Sequence, residues 1–258
     1  MLQSKYSPFK SCCCLILAFL LFFALSAQAG ERNKMTPETI FDAFLSGLRP
    51  ESMEMIMDGV PDKNGRVRRI YLDLEGCHVG HVRIERLQVD AMDVTFTHPS
   101  TWDETGPGVE LALLVRTKAL VSEDDVDAAL RSGIFGGIEE NWQDMRLRFR
   151  DGGVYVEGYK KVLFLNVFFE LQGRLDIRQG REIWLTDYSM RINRVNAPEM
   201  LAERTVSQIQ PLIDLGTFPF PLNLKRAIQR NDYLILESRN SPEPFDGKLF
   251  RYKGGENP

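Results

Sequence analysis

The sequence predicts an α+β fold in which a strongly curved antiparallel sheet wraps around a long helix. Three observations predict it. Helical periodicities appear near residues 36–50 and 196–216, and period-two alternation fills most of the chain between them. The alternation slips parity twice within HVRIERLQVDAMDVTF. The segment VLFLNVFFEL is apolar on both of its faces.

The first residues read as a secretory signal peptide. Lys5 and Lys10 precede an unbroken apolar run from Cys12 to Leu25, and Ala27-Gln28-Ala29 places small residues where a signal peptidase cuts. Cleavage is expected after Ala29, with residues 1–29 removed and the chain exported to the periplasm or cell envelope. The alternative is an uncleaved N-terminal membrane anchor. The run is shorter than the roughly 20 residues of a spanning helix. Gly30, not Cys, follows the cut, which argues against lipidation. Cys12, Cys13 and Cys14 would leave with the leader, so Cys77 would remain alone and no internal disulfide could form. Loss of Lys5 and Lys10 takes the formal charge from −4 to −6. A mildly acidic chain without a basic block gives no electrostatic case for nucleic acid.

The remaining elements follow in order. Thr36 is a plausible N-cap and Pro37 suits the first helical position. Ile40, Phe41, Phe44, Leu45 and Leu48 recur on one face, and Pro50 ends the helix. In RVRRIYLDLEG, Ile70, Leu72 and Leu74 alternate against Tyr71, Asp73 and Glu75. Next, Val82 and Ile84 share one parity, Leu87, Val89 and Ala91 the other, and Met92, Val94 and Phe96 return to the first. Each slip would turn the apolar face outward unless a bulge absorbs a residue and bends the strand. Bends are therefore expected near Glu85-Arg86 and Ala91-Met92. HPSTWDETGPG is a loop by composition, and VELALLVRTKALV is a strand. SEDDVDAALRSG is a short helix, capped by Ser122 and closed by Gly133. Its acids lack the spacing of a calcium loop and read as a solvated helix start.

MRLRFR and VYVEG flank Asp151-Gly152-Gly153, a hairpin signal. Two further strands meet at a turn around Gln179-Gly180. Asn196 is the expected cap of the long helix, with Pro198 in its first turn and Gly216 at its end. Leu201, Ala202, Val206, Ile209, Leu212 and Ile213 form its stripe, and Pro211 should kink it. FPFPL connects to a hairpin around Arg230-Asn231-Asp232. Residues 30–240 thus read as a single domain, and 241–258 as a polar, frayed tail.

CHVGH (77–81) raises a metal question. In an extended chain His78 and His81 point to opposite faces, and Cys77 and His81 lie roughly 13 Å apart. Zinc holds its ligands at about 2.0 to 2.3 Å. A turn at Gly80 could close that gap, but only the distant His98 remains as a further imidazole. No GxSxG, P-loop or GxGxxG pattern is present. The expectation is a protein without catalytic residues, metal or cofactor. A hydrolase or metal protein using His78 and His81 is the least favoured reading.

What stands out is apolar surface. Leu163, Leu165, Val167, Phe169 and Leu171 fill one face of a strand, with Phe164 and Phe168 on the other. An antiparallel strand needs only one apolar face. Either both faces are covered, or one lines a cavity. A long helix in the trough of a bent sheet would leave a greasy channel, its stripe facing Phe164 and Phe168 or the alternate set. A dozen buried methylenes there would give on the order of 10 kcal/mol before entropy costs. The expected apolar wall is Phe164, Phe168, Val206, Ile209, Leu212 and Phe218.

The succession GRVRRIYLDLEGCHVGHVRIERLQVDAMDVTF, ALVSEDDVDAALRSG, RLRFRDGGVYVEGYKKVLFLNVFFELQGRL and FPFPLNLKRAIQRNDYLILES resembles the LmeA family of exported phospholipid-binding proteins. The resemblance runs from about Met35 to Glu237 and departs from the family in HPSTWDETGPG and in the tail. It implies a half barrel similar to tubular lipid-binding domains. It also implies binding of phospholipid or another acyl-chain lipid, with transient contact to a membrane surface. It supplies no catalytic motif. The rival reading is an envelope scaffold whose apolar surfaces are all ordinary core.

Overall fold

The described residues are 36–131, 142–150, 152–162 and 164–254 of a computed structural model. The leader 1–29, Gly133, Asp151 and Leu163 lie outside them.

Helix α1 (Pro37–Leu48) begins where the Thr36 hydroxyl accepts the Thr39 amide, and it buries Ile40, Phe44 and Leu48. Strands β1 (Ser52–Met57), β2 (Arg66–Val79) and β3 (Val82–Phe96) follow. A 3-10 turn (Pro99–Thr101) and the short helix α2 (Trp102–Thr105) lead into β4 (Val109–Ser122) and helix α3 (Glu123–Arg131). Then come β5 (Trp142–Arg150), β6 (Gly153–Val162), β7 (Leu165–Arg178), β8 (Glu182–Ile192) and β9 (Val195–Asn196). Helix α4 (Glu199–Ser207), β10 (Ile213–Asp214), β11 (Arg226–Gln229), β12 (Tyr233–Glu237) and β13 (Lys248–Lys253) complete the order.

The strands make two antiparallel sheets. The first runs β11-β12-β4-β3-β2-β1-β13. The second runs β10-β8-β7-β6-β5, with β9 also on β8. Both stay open, so the described residues form no closed barrel. Side chains of both sheets and of α1, α3 and α4 join one apolar core.

Parity slips in β3 have matching partners in β2. The ladder skips Gly76 opposite Glu85 and Arg68 opposite Asp93. Gly76 and Asp93 have φ of +62° and +49°. Inner-facing residues therefore change parity together: Val67, then Ile70, Leu72 and Leu74, then Cys77 and Val79 on β2, matched by Val94, then Ala91, Val89 and Leu87, then Ile84 and Val82 on β3. Both strands turn at the same two places, and the core face stays apolar throughout. In the second sheet, Gln179 and Gly180 both have positive φ in the three-residue turn between β7 and β8, where the Arg181 amide donates to the Arg178 carbonyl at 3.2 Å.

Three expectations change. The long helix is a nine-residue helix, α4, and the sheet does not wrap a long rod. Asn196 lies in β9 instead of capping it, and Pro198 occupies the N-cap without a side-chain bond. Pro211 lacks an amide hydrogen and cannot continue a helix. The chain beyond it is extended, with the Leu212 amide donating to the Ile183 carbonyl and Ile213 pairing with Ile183. Second, the loop 98–108 contains an anchor. Trp102 is buried against Phe96, and its indole N–H donates to the Thr97 carbonyl at 2.7 Å.

Third, the tail carries β13, paired along the whole of β1. The Arg69 guanidinium sits 4.5 Å from the centre of the Phe245 ring and donates to the Glu243 carbonyl. The composition of 241–258 suggests fraying, but Phe245 docks on Arg69 at the outer face of the first sheet, and Phe250 and Tyr252 pack against the core, Phe250 5.6 Å from Phe41.

Candidate functional site

The two imidazoles and the thiol of CHVGH separate. Cys77 is fully buried on the core face of β2, and burial pushes its pKa up to about 12. His78 and His81 are exposed on either side of the tight turn at Gly80, which has φ +59°. His98 bonds Ser100 in the 98–108 loop. Among the described residues no cluster of three His, Cys, Asp or Glu side chains is placed to hold a metal ion.

The acidic helix start has a structural task. Ser122 and Asp125 cap α3, and Asp125 also accepts from Arg83 on β3 at 3.1 Å. Asp127 is buried and accepts the Leu147 amide at 2.7 Å. Glu123 accepts the Phe149 amide at 2.6 Å and the Arg148 guanidinium at 3.0 Å. Leu147 and Phe149 are alternate residues of β5, the edge of the second sheet. Acids one helical turn apart thus cover the edge N–H groups that β6 does not use. Helix spacing and strand spacing match here, and sequence pattern alone does not reveal which strand lies beside the helix.

The expected apolar wall divides. Val206, Ile209, Leu212 and Phe218 are all buried in the common core. Phe218 continues into a ring series: Phe220 at 5.9 Å, then Phe44 at 5.5 Å from Phe220 and Phe96 at 6.2 Å from Phe44. Phe168 is instead on the outer face of β7, its ring 5.2 Å from Tyr159 on β6. Phe164 occupies the β6–β7 turn and is 85% exposed. It is therefore the alternate set, Phe169 and Leu171, that faces the core.

That alternate set shows a gradient. Along the inner face of β7, Leu171 and Phe169 are buried, Val167 is half-buried and Leu165 is 59% exposed. Across the strands, Phe169 pairs with Ile192 and Ile192 with Val195, so the three share a face. Exposure rises again, from buried Phe169 through half-buried Ile192 to Val195 at 70%. The apolar interior thus runs out to solvent at one end of the second sheet. Met200 and Leu201, in the first turn of nearby α4, are also exposed.

The geometry of this end is fixed by hydrogen bonds between Asn193 and the Phe168 backbone. The Asn193 amide donates to the Phe168 carbonyl at 2.8 Å, and the Phe168 amide donates to Asn193 Oδ1 at 3.1 Å. Asn193 and Arg194 both have positive φ, which the two-residue β8–β9 turn requires. Arg191 donates to the Arg194 carbonyl and pairs with Glu170, which also accepts the Tyr155 hydroxyl.

Surface cavities lie elsewhere among the described residues. One, of about 520 Å³, is bordered by Leu175, Ile177, Gly180, Leu224 and Ala227. Another, of about 610 Å³, lies between the end of α1 and the Gly80 turn, by Arg49, His78, Thr217 and Pro219.

Compared with known proteins, residues 63–239 match a family model described as LmeA-like phospholipid-binding. The match spans β2 through β12 and leaves out α1, β1 and β13. No curated protein and no solved structure matches the chain.

Proposed function

The chain belongs to the LmeA-like phospholipid-binding family, and we propose that it is an exported envelope protein that holds phospholipid by its acyl chains. The acyl chains enter at Leu165, Val167, Ile192 and Val195 and lie against Phe169, Leu171, Val206, Ile209, Leu212 and Phe218. The observation that carries this reading is the unbroken inner face that passes from buried to exposed at one end of the second sheet. A core closed on every side offers a lipid no way in.

Methionines favour the same assignment. Met53, Met55, Met57, Met145 and Met190 all face the interior. Unbranched thioether side chains re-pack around a guest more readily than branched ones do. The role asks only for apolar wall, so no residue takes part in bond making. Contact with the donor or acceptor membrane is transient, and the 1–29 leader directs export.

The test is uptake of a short-chain fluorescent phospholipid supplied as monomers. Val167→Arg puts a charge at the half-buried rim, and affinity is expected to fall about tenfold or more, since one unpaired buried charge outweighs a few methylenes. Uptake unchanged by Val167→Arg would move the site elsewhere, and no uptake by the parent protein would contradict the carrier reading. The burial of Val206, Ile209, Leu212 and Phe218 within the common core favours a second reading, a scaffold without a guest.

A further inference from the structure

The open end of the second sheet carries more than a rim. Phe164, 85% exposed, projects from the β6–β7 turn, with exposed Leu165 next to it in the chain. Val195 is exposed at the adjoining β8–β9 turn, held there by the Asn193–Phe168 bonds. Large apolar side chains gathered at the tips of two neighbouring hairpins are unfavourable in water.

Charge at the same place selects what would cover them. Residues 158–168 and 191–197 contain Lys160, Lys161, Arg191 and Arg194 and no acidic residue, in a chain whose formal charge is −4. Lys161 and Arg194 are exposed, and neither pairs with a carboxylate among the described residues. Arg191 is engaged by Glu170. The nearest acids in sequence, Glu157 and Glu170, lie opposite each other further back along the β6–β7 ladder, and Glu199 lies in α4, so the turns themselves carry only basic charge.

We propose that these hairpin tips dock on a bilayer surface rich in anionic phospholipid, with Phe164 and Leu165 inserted among the headgroups and Lys161 and Arg194 on their phosphates. An apolar tip flanked by basic side chains matches an interface that is negative outside and apolar beneath. Docking here also sets the rim of the interior against the membrane, so a lipid need not cross water. That last step rests on the carrier reading; the docking itself does not.

Phe164→Trp in the full-length chain places an indole at the tip, and vesicles of brominated phosphatidylglycerol report contact as quenching. Strong quenching relative to the parent chain is expected. In the same background Lys161→Glu with Arg194→Glu should weaken vesicle binding about tenfold or more, because each basic group near an anionic leaflet favours binding severalfold. Phosphatidylcholine vesicles should bind correspondingly less. Absence of extra quenching, or binding indifferent to both the charge reversal and the lipid charge, would overturn the proposal. Failed uptake of monomeric phospholipid alongside intact, charge-dependent quenching would sink the carrier reading and leave the docking tip supported.

Discussion

Asp90 is the residue on which the outer face of the first sheet is most dependent. It is fully buried, accepts two bonds from Arg69 at 2.8 and 2.9 Å, and accepts a third from Arg116 at 3.1 Å. Phe245 covers Arg69, so the tail shields the cluster from water. Removing one member of such a group strands the others. Asp90→Ala should lower unfolding free energy by about 3 kcal/mol in urea titration, the low end for a buried pair because both guanidiniums keep some contact with solvent. Cys77 gives a second expectation. Its folded pKa of about 12 lies above its ordinary 9.0 because burial disfavours the thiolate. The folded state therefore holds its proton more tightly. The contribution to stability is complete below about pH 9 and declines as pH rises toward 12. At pH 8 the native Cys77 should resist iodoacetamide and react promptly in denaturant, as peptide mass mapping would show. Fast native labelling would contradict its place in the core.

At the scale of elements, the α3–β5 contact is the clearest test. Asp127→Ala leaves the Leu147 amide without its acceptor and should cost about 1–3 kcal/mol. Glu123→Ala should add to that loss and free the β5 edge for intermolecular pairing, visible as concentration-dependent light scattering. A double variant as stable and monodisperse as the parent would show that the edge needs no cover. This element also marks how far the sequence could be read. The cap at Ser122 and the acids of the first turn are legible, but their partner on β5 lies more than 20 residues away. The slips in β3 were equally legible, because apolar parity records which face meets the core. The segment 199–213 was not. Ala202 and Val206 sit on a helix, Ile209 in the turn that ends it, and Leu212 and Ile213 beyond Pro211 beside β8, and the buried set still satisfies a helical period. Of the expected wall, Val206, Ile209, Leu212 and Phe218 are buried as the pattern suggests. Phe164 and Phe168 are not, since a strand apolar on both faces does not say which face is inside.

For the whole molecule, the central claim is a two-sheet interior that opens at one end and accepts acyl chains. Family membership supports phospholipid as the ligand class, and the exposure gradient is what favours the proposed place. Among the described residues no helix is long and apolar enough to cross a membrane. The most direct measurement is native mass spectrometry of the protein isolated from cell envelopes without detergent, followed by lipid extraction. The account predicts a mass increment matching phospholipid at a fixed ratio, lost on Val167→Arg while the fold persists. A protein that carries no lipid and takes none from supplied phospholipid would contradict it.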